Sequence, residues 1–415
     1  MVNPMKKFIN NNFHALTHKN YRYFWIGQCV SLMGTWMQNV GQSWLVLKLT
    51  NSPLRLALIT IIQFLPITLF SLFAGLVVDK FPKKKILLFT QTVSMILALI
   101  LSALVFTHTV RYEYILVLAL CLGIINTIDM PTRQAFNVEI VGKKDLMNAI
   151  TLNSATFNLA RIIGPAVGAV FMAYAGAGWC FLVNGLSFIA VIYGLLHIES
   201  EPYIRKKGSE KGVFREILDG LKYIKDNAVL LETILLVTII GIFGFNYNIL
   251  IPVFTKDVLH MQEKAYGFLL SSLGVGSLIG ALLASAKSKR GPKRVFMIGS
   301  SLAMGTMLLF TGMSRLYYLT ALSLAVTGIF NIFFSTTANS TLQINSKDEY
   351  RGRVMSVYAF VFAGLSPAGS FFSGYTSEIL GADNTFIISG IATITLVILL
   401  MALIKVRRQK KDDRV

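Results

Sequence analysis

Apolar residues run through this chain in long blocks, interrupted at near-regular intervals by short polar stretches. A helix needs ~20 mainly apolar residues to cross the hydrocarbon layer of a bilayer. Twelve segments reach that length, at roughly 22–47, 54–79, 86–107, 113–135, 146–175, 178–197, 228–255, 265–286, 294–313, 315–343, 353–377 and 384–404. The pattern predicts an all-α membrane protein with twelve transmembrane helices. Its longest polar stretch, 198–227, divides them six and six. Within that stretch Phe214, Ile217, Leu218, Leu221 and Ile224 recur at helical spacing beside Arg215, Lys222 and Lys225. This predicts an amphipathic helix lying on the inner membrane surface. The expected organisation is an N-terminal segment 1–21, a first six-helix bundle 22–197, a linker 198–227, a second bundle 228–404 and a basic tail 405–415. Met1 to Lys19 is polar and basic, with no short apolar core, so no cleavable signal peptide is expected.

Composition agrees with lipid as the solvent. Hydrophobic residues make up 54% of the 415 and charged residues only 14%, against about 25% charged in soluble domains. The net charge of +19 has two readings, nucleic-acid binding or cytoplasmic loops rich in Lys and Arg. Position separates them. When the segments between spans are taken alternately, 32 of the 39 basic residues fall in the set that includes both termini. By the positive-inside rule this predicts both termini in the cytoplasm of a multi-pass protein of the cell membrane. No groove-reading or base-stacking motif accompanies the charge, so no nucleic-acid partner is expected.

The halves repeat weakly. Gly75 and Gly280 each begin an apolar stretch that runs into a basic loop with a proline. Gly123-Ile-Ile-Asn126 matches Gly328-Ile-Phe-Asn331 at the same spacing of 205, and Pro165 and Pro367 lie 202 apart. Two parallel, pseudo-symmetric six-helix halves describe the major facilitator fold. GLVVDKFPKKK, residues 75–85, resembles the loop 2–3 signature of that superfamily. Gly75, Asp79, Lys83 and Lys84 fall on its key positions, Lys80 replaces an arginine and Pro82 a glycine. Residues 128–169 and 349–358 are similar to a bacterial subgroup containing the enterobactin exporter and macrolide efflux proteins. The resemblance implies that Asp79 closes an inner gate against the start of span eleven, Arg351 and Arg353, and against Arg133. Gly164-Pro165-x-x-Gly168 partly matches the antiporter signature of span five, with Thr151, Ala160 and Ala169 replacing glycines. Proline with nearby glycines there implies a bendable helix and mildly favours export.

Candidate chemistry lies on polar faces of apolar spans. Gln28, Ser31, Thr35, Gln38 and Gln42 recur at steps of three and four, with Trp36 beside them. Thr151, Ser154, Asn158, Arg161 and Pro165 repeat the spacing in span five. Polar side chains within a membrane face the bundle interior or a wet cavity, so both stripes predict a cavity wall. Asn246, Tyr247 and Asn248 in span seven, with Asn331, Ser335, Asn339 and Gln343 in span ten, are the expected contributions of the second half. Arg161 is the one basic residue deep in a span and needs a partner or water. Its nearest acidic candidate is Asp129, and the two are the candidates for proton coupling. A structural ion pair is the competing reading. Gly276-x-x-x-Gly280 predicts close helix packing.

No Walker loop is present. The five histidines and three cysteines lack metal-ligand spacing, and no serine sits in a nucleophile elbow. The chain is therefore expected to be no enzyme and to use no cofactor or metal. The leading reading is a monomeric secondary transporter. It would use membrane lipid as solvent and protons as coupling ion, exporting a small amphipathic drug or siderophore-like compound by alternating access. A lysophospholipid or lipid-linked substrate flippase, and a non-transporting receptor or scaffold, remain alternatives.

Overall fold

The computed structural model describes residues 13–199, 213–287 and 291–412. Among them every regular element is helical and no strand occurs. Lipid offers no hydrogen bonds, so helices that satisfy their own backbone groups are the solution open to such apolar runs. The first six are α1 Lys19–Thr50, α2 Pro53–Lys80, α3 Lys83–Phe106, α4 Tyr112–Gly142, α5 Lys144–Ala175 and α6 Ala177–Leu196. Helix α7, Val213–Asp226, lies in the linker. The rest are α8 Ala228–Val258, α9 Glu263–Lys287, α10 Arg294–Met313 and α11 Tyr317–Ile344. Helix α12 begins as Asp348–Ala359, passes a π turn at Phe360–Gly364 and resumes as Ser366–Leu380, and α13 is Ala382–Asp412.

Eleven helices among the described residues are long and apolar enough to span a membrane. The expected count was twelve. The first expected span exists as α1, a 32-residue helix, but its glutamines and hydroxyls dilute it below the apolarity of the others. Three interruptions also differ from simple rods. Helices α4 and α5 follow one another directly at Gly142, whose φ of 70° and ψ of 173° only glycine adopts readily. Here α4 outruns its expected end because Phe136, Ile140 and Val141 are buried beside Ala15, Tyr21 and Phe24. Helix α8 breaks after Phe243, at Gly244 and Asn246. The π turn in α12 precedes Pro367, which lacks the amide needed to continue a regular ladder.

Contacts divide the chain into two compact units, Met1–Leu49 with Leu65–Gly208, and Thr50–Phe64 with Ser209–Val415. A boundary at the linker was expected; the second, inside α2, was not. Its cause is local. Glu378 Oε2 accepts from Ser52 Oγ at 2.7 Å and from Leu54 N at 3.1 Å, and Lys256 Nζ donates to Asn51 Oδ1 at 2.6 Å. In the first unit, Gly27, Gly34 and Gly41 turn one face of α1 to α6; a Cβ at Gly27 would meet Val191 Cα at 2.8 Å. The second unit packs Leu230, Val237, Phe334, Val354 and Val397 into one core.

Helix α7 differs from a helix resting on a membrane surface alone. Ile224 is buried in the second unit's core, while Leu221 is exposed. Side chains of Phe214, Arg215, Ile217 and Leu218 lie outside the described residues, as do Arg205 to Lys211. Gly75 and the Asp79 side chain, expected at the inner gate, are outside them too.

Candidate functional site

In the first unit the α1 stripe splits. Gln28 and Gln38 are only 4% and 7% exposed, and Ser31 is buried with them. Gln38 Oε1 accepts from Asn184 Nδ2 on α6 at 2.7 Å, and Ser187 Oγ donates to Asn184 O at 2.7 Å. This corrects the expectation of one continuous cavity wall. The small residues Gly34 and Gly41 bring α6 close enough for its amide to take up Gln38. Thr35 and Gln42 stay half-buried, with Thr35 Oγ1 donating to Ser31 O at 2.9 Å.

Helix α5 keeps its polar face more open. Thr151 and Ser154 are exposed, Asn158 and Arg161 half-buried. Asn158 Nδ2 donates to Ser154 O at 2.9 Å. Trp36 meets Phe157 edge to face, ring centroids 5.8 Å apart. The antiporter-like glycines make this possible. Gly164 seats the Trp36 side chain, and a Cβ at Gly168 would lie 3.0 Å from Met37 Cα. Despite Pro165, α5 continues to Ala175, so these residues serve α1 packing within an unbroken helix. One guanidinium, an amide, a hydroxyl and two aromatic rings therefore accompany one another on the α1–α5 side of the unit.

Asp129 does not take the expected role of partner to Arg161. It is 4% exposed and pairs with Arg133, one turn along α4, through Nη2 and through Nε at 3.1 Å. Thr90 Oγ1 and Gln91 Nε2 of α3 donate to its other oxygen at 2.6 and 2.8 Å. The i, i+4 spacing sets Asp129 and Arg133 on one helix face, and α3 completes the cage. Lys83 lies 3.5 Å from Glu139, and Lys84 Nζ donates to Ile198 O at 2.7 Å and Leu196 O at 3.3 Å. Both gate candidates thus bind within their own unit, Lys84 at the carbonyl-rich end of α6, where a cation is favoured. Thr90, Gln91 and Glu139 escaped the sequence reading. The signal for the first two was a polar pair inside an apolar span.

In the second unit Asn246 is buried at the α8 break, its Nδ2 donating to Ile242 O at 2.6 Å, while Asn248 is exposed. Asn331, Ser335, Asn339 and Gln343 form two i, i+4 pairs on α11. Ser335 Oγ donates to Asn331 Oδ1 at 3.4 Å and Gln343 Nε2 to Asn339 Oδ1 at 2.6 Å. Arg351 Nε donates to Gln343 O at 3.2 Å, and Arg353 Nη1 lies 3.6 Å from Asp219. Arg133 and Arg353, expected to serve Asp79, therefore have carboxylate partners in Asp129 and Asp219.

Another unforeseen pair ties α8 to α10. Glu232 Oε1 accepts from Arg294 Nη2 at 2.6 Å and from Nε at 2.9 Å. The carboxylate is 2% exposed and the guanidinium 42%. That asymmetry predicts unequal mutants. Arg294→Met takes the guanidinium from a buried carboxylate and should cost ~3 kcal/mol, whereas Glu232→Gln leaves a cation that reaches water and should cost ~1 kcal/mol. Thermal unfolding midpoints of the two purified variants check the order.

Residues 10–415 match the family described as transmembrane secretion effector. The chain is 28% identical over 377 residues to the staphyloferrin A transporter of Staphylococcus aureus, covering 90% of this chain and 93% of that one. It is 22% identical over 390 residues to macrolide efflux protein A of Streptococcus pyogenes, covering 92% and 96%. Among solved structures, the nucleoside transporter NupG superposes with a TM-score of 0.72 at 15% identity, over 92% of this chain and 98% of that one.

Proposed function

This chain belongs to the transmembrane secretion effector family of the major facilitator superfamily, and we propose that it exports a small amphipathic compound rich in carboxylate or similar oxygen groups. It is a multi-pass membrane transporter of the efflux type and not an enzyme. The observation that carries the substrate class is Arg161. Its guanidinium shares a helix face with Ser154 and Asn158, in the α1–α5 region where Trp36 packs on Phe157. A guanidinium presents a fixed fork of donors that matches a carboxylate in two bonds at once. Aromatic faces beside it suit the apolar part of such a compound. A siderophore bearing carboxylates fits this chemistry, in line with the name of the staphyloferrin A relative. The Trp36–Phe157 pair and the macrolide efflux relative favour a second reading, a macrolide-like drug.

Transport proceeds by alternating access in a monomer, with both termini in the cytoplasm, and is driven by the proton gradient. Asp129 carries the proton in this reading. The carboxylate holds Arg133 of α4 together with Thr90 and Gln91 of α3, so a change at this group reaches the packing of α3 on α4. Asp129→Asn should reduce gradient-driven export about a hundredfold or more, the low end of what a positioned proton-transfer group contributes, while substrate counterflow without a gradient stays near wild type. Equal losses in both assays would assign Asp129 a structural part only.

Inside-out membrane vesicles decide the substrate class. They are given, on the outside and in parallel, a carboxylate siderophore, a macrolide and a labelled lysophospholipid. Accumulation of the siderophore, lost in Arg161→Ala, is the expected result. Accumulation of the macrolide alone would select the second reading, and movement of the lysophospholipid alone would replace both with a flippase.

A further inference from the structure

We propose that the linker helix α7 is a clasp that fixes the first turns of α12, with Tyr223 and Asp219 as its positioning residues and Arg353 as their receptor. Five contacts within the second unit converge on this point. The Tyr223 ring stacks on Tyr350, with centroids 4.3 Å apart and planes 6° from parallel. The Tyr223 hydroxyl accepts from the backbone N–H of Lys347, the N-cap of α12, at 3.2 Å. Asp219 Oδ2 lies 3.6 Å from Arg353 Nη1, and the Arg353 guanidinium sits 5.3 Å from the centre of the Tyr350 ring. Gly220 faces the Arg353 stem so closely that a Cβ there would meet Arg353 Cβ at 3.0 Å.

Each contact answers a physical need of the two helices. The first N–H groups of a helix have no partner within it, and no side chain caps α12 at Lys347. Tyr223 supplies the acceptor from outside. Arg353, half-buried against α7, gains a carboxylate and an aromatic face together. Ile224 anchors the arrangement from below, buried in one core with Val354 and Val357. The first segment of α12 leads at Phe360 into the π turn, a place where the helix ladder is already irregular. With its start held by α7, that segment and α7 behave as one body, and bending is left to the π turn. The clasp is independent of what is exported and in which direction.

Backbone amide exchange in the full-length protein in nanodiscs tests this. Lys347 and residues 350–357 should be protected in the wild type. Tyr223→Phe keeps the stacked ring and removes the hydroxyl, so it should release the Lys347 amide about tenfold and leave 350–357 protected. Tyr223→Ala should release the whole stretch 347–357 by about tenfold or more, with amides of α10 unchanged. Asp219→Arg and Arg353→Asp should each release it, and the double variant with the charges exchanged should restore protection to within about twofold of the wild type. Unchanged protection in Tyr223→Ala would overturn the proposal. So would a charge exchange that leaves the stretch as open as either single variant. Should Tyr223→Ala unfold, the charge exchange decides alone.

Discussion

Replacing Arg161 by alanine is expected to abolish export while leaving the protein folded and abundant in the membrane. An arginine at mid-membrane costs ~2.5–3.5 kcal/mol on insertion scales, so its removal eases rather than hinders insertion. Its loss falls on the substrate. Removing one member of a desolvated charge pair costs ~2–5 kcal/mol of binding. Even 3 kcal/mol corresponds to roughly a hundredfold in affinity, since ~1.4 kcal/mol is tenfold. Arg161→Lys keeps the charge but not the fork, and should fall between wild type and alanine. Export rate against substrate concentration, with membrane abundance and detergent monodispersity measured on the same samples, checks this. Normal export by Arg161→Ala would remove it from the substrate site.

The second large effect is expected at the crossing of α9 and α11. A Cβ at Gly276 would fall on the carbonyl oxygen of Ala325, and one at Gly328 on that of Leu273. Both obstacles are backbone and cannot rotate away. Apolar side chains gain little by leaving lipid for one another, so such helices depend on close backbone packing for attraction. Overpacking a fitted core costs ~1–3 kcal/mol and more where nothing can yield. Gly276→Leu or Gly328→Leu should therefore cost at least about 3 kcal/mol, seen as lost monodisperse yield and a lower unfolding midpoint. Gly299 gives the contrast, since nothing lies within 4 Å of a Cβ there. Gly299→Ala should be neutral or stabilise by up to ~1 kcal/mol, the backbone entropy that glycine forfeits in a helix.

What the sequence reveals here follows the physics of each feature. Apolar runs mark α2 to α6 and α8 to α13 because lipid imposes length and composition on every crossing helix. The α1 stripe shows the limit of periodicity. Spacing places Gln28, Ser31 and Gln38 near one another along the helix, but whether that face meets water or α6 depends on the glycines between and beside them, Gly27, Gly34 and Gly41. Asp129 and Arg133 stand four apart in the chain, a spacing that favours pairing, yet the cost of a cation within a span points a reading of the sequence to the longer-range pair of Asp129 with Arg161. Glu232 and Arg294 are 62 residues apart, and no local pattern joins them. The same holds for Tyr223 and Tyr350, on helices separated by most of the second unit. Amphipathicity locates α7 without saying which surface its buried face meets.

Gradient-driven export is most directly tested in inside-out vesicles given the compound that cells lacking this chain retain. With ATP absent and the vesicle interior made acidic, wild-type vesicles should accumulate the compound, and a protonophore should abolish the uptake at once. Vesicles carrying Arg161→Ala should accumulate none. Uptake that survives the protonophore, or that begins only when ATP is supplied, would contradict proton-coupled export by this chain.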